Sequence, residues 1–170
     1  VLDNLWVFIA GILVFFMQAG FALVEAGLTR AKNVVNIFAK NMADAVIGIL
    51  AFFATGYAFA FGAGGDWIGT ENFLLSGYDD YSAIDGGLSP ATTFFFQAVF
   101  AATAVTIASG AMAERTKFSA YLLFSAVMCA FICPVVVHWT WGGGLIANMS
   151  IGDAVYSDFA GSAIVHMTGG

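Results

Sequence analysis

Charged side chains are scarce in this chain of 170 residues. Lys, Arg, Asp and Glu make up 9% of it, against about 25% in soluble domains. The five basic residues are outnumbered by eleven acids, so no run of Lys and Arg is available to neutralise nucleic-acid phosphates. These shortages exclude an ordinary soluble domain and a nucleic-acid-binding protein.

Cysteine and proline are also rare, with two residues of each. Two cysteines cannot form a disulfide framework, and this little proline beside twenty glycines excludes a disordered or collagen-like chain. Apolar residues are abundant instead, at 61% of the sequence with a mean hydropathy of +0.90. The composition therefore predicts an integral membrane protein embedded in a lipid bilayer.

Four long apolar stretches predict transmembrane helices, at residues 5–28, 33–61, 92–112 and 118–140. Each is long enough, because about 20 helical residues cross the hydrocarbon core of a bilayer. Pro134 predicts a kink near the end of the fourth helix. A fifth helix is predicted over 158–170 and onward, with Asp158 as its N-cap. The expected fold class is an all-α polytopic membrane protein with four transmembrane helices and the start of a fifth.

The distribution of charge predicts the orientation of these helices. All basic residues lie in or beside the first–second and third–fourth connections: Arg30, Lys32, Lys40, Arg115 and Lys117. The charged residues of the other two connections are all acidic: Asp66, Glu71, Asp79, Asp80, Asp85 and Asp153. Because cytoplasmic loops carry the excess of Lys and Arg, the N-terminus and both acidic loops are predicted to lie outside. The plasma membrane is the expected location.

Two polar residues near the fifth helix are candidates for a conduction path. His166 follows Asp158 by eight residues, about 12 Å along a continuous helix, which places it near the middle of the membrane. Ionisable groups at that depth mark ion and proton pathways, although a structural histidine bonded to a carbonyl is the alternative. Asp158 is expected to cap the helix, and it is also a candidate for shaping a cation site at the pore mouth.

Aromatic residues supply the second group of candidates. Trp141 is predicted at the outer interface, where Trp is a common anchor and also the best aromatic platform for a small cation. Phe96 and Phe100 are spaced i, i+4 and should stack on one face of the third helix, although lipid contact is the default role of any one Phe. Gln18 and Glu25 are expected to form hydrogen bonds between helices.

Several familiar sites are missing from the sequence. It contains no Gly-rich phosphate loop, Ser-His-Asp set or metal-spaced His/Cys cluster, so neither enzyme activity, metal nor cofactor is predicted. Lys32, Lys40 and Lys117 are expected at cytoplasmic helix ends, which leaves no mid-membrane lysine for a retinal Schiff base. His138 is expected to be structural, and Asn148 begins a glycosylation sequon on an outer loop.

Several segments together resemble one known family. They are Met17-Gln-Ala-Gly-Phe-Ala-Leu-Val-Glu-Ala-Gly, Arg30-Ala-Lys-Asn-Val-Val-Asn, Phe96-Gln with Phe100, Gly110-Ala-Met-Ala-Glu-Arg-Thr-Lys-Phe-Ser, His138-Trp-Thr-Trp-Gly-Gly-Gly and Asp158-Phe-Ala-Gly-Ser-Ala-Ile-Val-His-Met. In this order, across essentially the whole chain, they resemble the N-terminal part of the Amt/Mep/Rh ammonium transporters. The residues within these motifs are most similar to those of the eukaryotic Amt branch.

The resemblance implies a fold, an assembly and a function. The fold is an eleven-helix inverted-repeat transporter, of which this chain supplies most of the first half. The assembly is a homotrimer, with a possible regulatory partner on the cytoplasmic side. The implied function is movement of ammonium, as ammonia plus a proton, without a cofactor.

The resemblance also implies a role for each candidate residue. Trp141 and Phe100 match the substrate recruitment site, and Phe96 and Phe100 match the gate. His166 and Asp158 match the pore and proton path. Each role is carried over from the matching motif.

Three other functions remain compatible with the sequence. An Rh-type electroneutral channel for ammonia or carbon dioxide would pass substrate without current. An ammonium sensor with the same pore fold would carry a signalling domain beyond the pore. A general secondary transporter with broken helices would not be subject to methylammonium competition.

Overall fold

Four helices long and apolar enough to cross a membrane lie within the described residues, which are 1–78, 80 and 87–170 of a computed structural model. They are α1 (Leu2–Leu28), α2 (Ala31–Phe61), α3 (Pro90–Met112) and α4 (Phe118–Thr140). Smaller elements are α5 (Ile164–Gly169), a 3-10 turn (Phe73–Leu75) and the antiparallel pair β1 (Ser150–Ile151) and β2 (Ala154–Val155). The four predicted spans are confirmed. Asp79 and Asp85 of the predicted acidic loop lie outside the described residues.

The predicted start of the fifth helix is wrong. The helix α5 begins at Ile164, six residues after Asp158, because Gly161 takes a left-handed conformation (φ 78°) and the chain turns there. Asp158 still caps the helix, since its carboxylate accepts the N–H groups of Ser162, Ala163 and Ile164 at 2.9, 2.9 and 2.7 Å. The axial distance of a continuous helix therefore does not apply to His166.

The start of α3 shows a regular cap. Pro90 occupies the first turn, where its missing N–H needs no partner, and the Ser89 hydroxyl accepts the N–H of Thr92 at 3.2 Å. Asn4 of α1 accepts the Ser89 N–H at 2.7 Å and donates to the Gly87 carbonyl at 3.1 Å. The N-terminal ends of α1 and α3 are thereby joined.

Both α2 and α4 contain a π-helical segment, at Phe52–Gly56 and Met128–Ile132, and the two segments contact each other. Pro134, where a kink was predicted, follows the second segment by two residues. Pro134 has no N–H for the carbonyl of Ala130, and the Thr55 hydroxyl donates to that carbonyl instead, at 3.0 Å. Gly56 is required at the crossing, because a Cβ there would lie 2.4 Å from a backbone oxygen of α4.

The bundle has one acidic end and one basic end. The acidic end comprises residues 1–4, 62–80 and 87–89 as far as they are described, and 142–158. Two of its loops are joined by a backbone hydrogen bond, in which Leu145 donates its N–H to the Asp66 carbonyl at 2.8 Å. The rings of Trp67 and Trp139 also contact each other there. His138 is buried there with one ring nitrogen 3.0 Å from the Ala60 carbonyl and the other 2.8 Å from that of Gly65. These contacts agree with its predicted structural role.

The basic end comprises the connections 29–30 and 113–117, and Glu114 joins them. Its carboxylate accepts the Arg30 backbone N–H at 3.0 Å, the Arg30 Nε–H at 2.9 Å and the Asn33 amide at 2.6 Å. The Arg30 side chain is the main cause that lowers the pKa of Glu114 to about 2, followed by the Arg30 backbone and Asn33. Both basic connections therefore lie on the same side of the bundle.

Candidate functional site

Three of the predicted aromatic residues form one cluster at the acidic half of the bundle. The rings of Phe96 and Phe100 stand 4.9 Å apart between centroids at 66°, as expected from their i, i+4 spacing on α3. The Trp141 ring, just after α4, lies 5.8 Å from Phe100 at 78°. All three side chains are half-buried. We call Phe96, Phe100 and Trp141 the aromatic cluster.

Asp158 positions this cluster with its backbone rather than with its carboxylate. The Trp141 indole N–H donates to the Asp158 carbonyl at 2.8 Å, which fixes the ring relative to the turn before α5. Both carboxylate oxygens are meanwhile occupied by the amides that begin α5. One residue thus links the orientation of Trp141 to the position of the helix that carries His166.

His166 lies beyond the aromatic cluster toward the basic end. It lines an open cavity of about 470 Å³ between α1 and α3, together with Thr106 and Gly110 of α3 and Glu25 of α1. We call this cavity the inner groove. Thr106 follows Phe100 by six residues, about 9 Å along α3, so the two sites succeed each other along that helix. Contacts therefore join Phe96, Phe100, Trp141 and Asp158, and His166 lines the inner groove beyond them.

One lysine expected at a cytoplasmic helix end is buried. Lys40 is only 1% exposed, and its partners Glu25, Ser109 and Tyr121 each lie three residues from the basic end of their helix. It is nine residues into α2, about 14 Å from the helix start. Its Nζ donates to the Ser109 carbonyl at 3.2 Å, lies 3.7 Å from Glu25 Oε1 and sits 4.3 Å above the Tyr121 ring centroid. The burial was not predicted because polar residues early in a helix were taken as interfacial.

The expected helix–helix hydrogen bonds of Gln18 and Glu25 are confirmed. Gln18 donates to Thr103 at 3.3 Å and accepts from Thr106 at 2.8 Å. Glu25 accepts the Ser109 hydroxyl at 2.8 Å on one oxygen and the Asn41 amide at 2.9 Å on the other. These bonds fix α1 against α2 and α3.

A second carboxylate, that of Asp44, extends the group of polar residues around Lys40 and Glu25 to α4. Asp44 is completely buried and accepts the Tyr121 hydroxyl on one oxygen and the Ser125 hydroxyl, at 2.7 Å, on the other. The buried charge network thus comprises seven residues: Glu25, Lys40, Asn41, Asp44, Ser109, Tyr121 and Ser125. A sequence signal for it existed in the i, i+4 pair of Lys40 and Asp44 in a chain with few charges.

Comparison of the sequence with known proteins identifies one family. A sequence model of the Ammonium Transporter Family matches residues 5–170. The chain is 49% identical over 177 residues to Ammonium transporter Amt2 of Archaeoglobus fulgidus, covering 99% of this chain and 36% of that protein. It is 44% identical over 167 residues to Putative ammonium transporter 1 of Caenorhabditis elegans, covering 94% of this chain and 29% of that protein.

A solved structure shows the same fold. The structure titled Sensor Amt Protein aligns with a TM-score of 0.83 and 37% identity, covering 98% of this chain and 41% of that one. The chain thus spans between 29% and 41% of the length of these three relatives. Because the family match extends over nearly every residue, the chain belongs to the Ammonium Transporter Family.

Proposed function

We propose that the full-length protein moves ammonium across a membrane, as ammonia plus a proton, and that it is not an enzyme. The observation that carries this proposal is the succession along α3 of an aromatic cluster and a groove lined by His166. Membership of the Ammonium Transporter Family supports the choice of substrate.

The chemistry of ammonium explains why aromatic rings and a histidine suit it. Potassium has the same charge and a similar size, so charge alone discriminates poorly between the two ions. Ammonium also donates hydrogen bonds, and the faces of Trp141 and Phe100 attract a cation. Phe96 and Phe100 act as the gate, beyond which an intact ion is costly in an apolar passage. Release of the proton lets neutral ammonia continue past His166.

The same proposal includes an orientation and an assembly. Six described acids and neither Lys nor Arg lie at the acidic end: Asp3, Asp66, Glu71, Asp80, Asp153 and Asp158. Since Lys and Arg are enriched in cytoplasmic loops, we place the acidic end and the N-terminus outside the plasma membrane. The complete pore needs the second inverted repeat, and the protein forms a homotrimer, with a regulatory partner binding the cytoplasmic side.

Two substitutions of His166 test the proposal in the full-length protein. His166→Asp adds a permanent acceptor that can hold a desolvated cation, so potassium should pass alongside ammonium. His166→Ala leaves an apolar wall and should chiefly slow or abolish transport. Met167→Leu, at an exposed position of the same helix, is the control and should behave as wild type.

The measurements are ammonium and potassium currents together with ammonium uptake in one membrane system. Wild-type rate and selectivity in both His166 variants would make His166 structural and contradict the mechanism. If the wild-type protein takes up ammonium without producing a current, the electroneutral Rh-type alternative is identified instead.

A further inference from the structure

Glu25 is the acidic side chain of the inner groove, as far as the described residues line it. It belongs at the same time to the buried charge network and is 8% exposed. It therefore joins the groove that contains His166 to a group of ionisable residues inside the bundle. The pore chemistry proposed above leaves this network without a role.

The partners of Glu25 are those that suit a carboxylate. The Ser109 hydroxyl and the Asn41 amide donate to its two oxygens at 2.8 and 2.9 Å, and Lys40 Nζ lies 3.7 Å away. These groups come from α2 and α3, so the carboxylate is held in one place on α1. A fixed charge of this kind acts on its surroundings without having to move.

The network contains more negative than positive charge. Its formal charges are two carboxylates, Glu25 and Asp44, and one ammonium group, Lys40. From α4 the network is faced by the Tyr121 ring, below Lys40, and by the hydroxyls of Tyr121 and Ser125 on Asp44. Lys40 therefore cannot balance both acids, and Glu25 is the one that borders the groove.

We propose that Glu25 is the counter-charge for the positive charge that passes His166. This inference rests on the proposed function. A proton released from ammonium travels by His166 and water in the groove toward the basic end, and Glu25 stabilises it without binding it covalently. The travelling proton is delivered to solution. Glu25 is accordingly a positioning residue, because it acts on the charge through space.

The test compares two acids of the same network in the full-length protein reconstituted into liposomes. Glu25→Gln keeps the shape, and the Asn41 amide can turn to accept from the new side chain, since its Oδ1 has no hydrogen-bond partner among the described residues. The matched control is Asp44→Asn, which removes the other carboxylate, away from the groove lining. Ammonium-evoked current and ammonium uptake are measured in the same preparation.

The readout is the ratio of current to uptake, which does not depend on how much protein is folded. We expect Glu25→Gln to lower this ratio roughly tenfold, because the positive charge loses its counter-charge in a low-dielectric site. Glu25→Asp, which keeps the charge, and Asp44→Asn should stay within about twofold of wild type. If Glu25→Gln protein is not recovered, Glu25→Gln with Lys40→Met removes the pair together and should lower the ratio equally.

Three results would overturn the inference. An unchanged ratio in Glu25→Gln would show that the charge is not needed, and an equal fall in Asp44→Asn would show a network effect rather than a role of Glu25. Wild-type uptake without current would also overturn it, because no charge would then cross. Absence of ammonium uptake by the wild-type protein is a separate result and contradicts the proposed function itself.

Discussion

The aromatic cluster allows a quantitative prediction for Trp141. Trp141→Leu keeps an apolar side chain but removes both the aromatic face and the indole N–H that bonds Asp158 at 2.8 Å. A cation–π contact contributes about 0.5–2 kcal/mol, depending on how far the cation is desolvated. Since about 1.4 kcal/mol corresponds to tenfold in binding, the apparent affinity for ammonium should fall about 2- to 30-fold.

A second variant separates the two losses. Trp141→Phe keeps an aromatic face opposite Phe100 but also loses the hydrogen bond to Asp158. If the cation–π contact dominates, Trp141→Phe should bind ammonium better than Trp141→Leu. If the hydrogen bond dominates, the two variants should be equally impaired.

The assay is the concentration dependence of ammonium-evoked current or uptake in the full-length protein. The half-saturating concentration reports recruitment, and the maximal rate reports later steps. An unchanged half-saturating concentration in Trp141→Leu would refute the recruitment role and make Trp141 an interfacial anchor.

Three further predictions concern helix packing, the pH dependence of stability and the orientation in the membrane. Gly56→Ala should destabilise the protein by about 1–3 kcal/mol, because its Cβ would meet a backbone oxygen at 2.4 Å. Gly20→Ala, where the Cβ would enter open space, should be neutral or stabilising. Thermal unfolding in detergent compares the two variants. The pKa of Glu114 is lowered from 4.5 to about 2, so its stabilising contribution should be constant above pH 4.5 and disappear as the pH falls toward 2. The unfolding midpoints of wild type and Glu114→Gln, measured across that range, should therefore converge in acid. Cysteine at Asp153 should react with an impermeant reagent outside intact cells and cysteine at Lys117 should not, the native cysteines being buried; the reverse pattern would invert the proposed orientation.

The membrane spans could be predicted because each is encoded by a long local apolar run. The start of the fifth helix could not, although its capping residue was recognised. Asp158 does accept helix-initiating amides, but they belong to Ser162–Ile164, across a turn made by the left-handed Gly161. A cap motif indicates that free amides are nearby, and it leaves open how many residues the chain uses to reach them.

The candidate site shows the same limit at longer range. The contact of Phe96 with Phe100 followed from helical spacing, whereas the contact of Phe100 with Trp141 depends on how α3 packs against the end of α4. The burial of Lys40 was missed for a related reason. Its partners come from three other helices, and Glu25 and Tyr121 are remote in sequence, so its own helix gave little indication of burial.

The paired π segments of α2 and α4 have a consequence for aligning this chain with its relatives. A π turn accommodates about one more residue than an α turn, so a helical wheel drawn through Met128–Ile132 misplaces every later side chain by about 100°. The side chains of Cys133–Thr140 are assigned to the correct face only when the extra residue is counted. A relative that lacks one residue in either segment can close the wide turn into an ordinary one and keep both faces. A single-residue gap at Phe52–Gly56 or Met128–Ile132 is therefore compatible with the same helix packing, and shifting an alignment to remove it would pair the wrong residues.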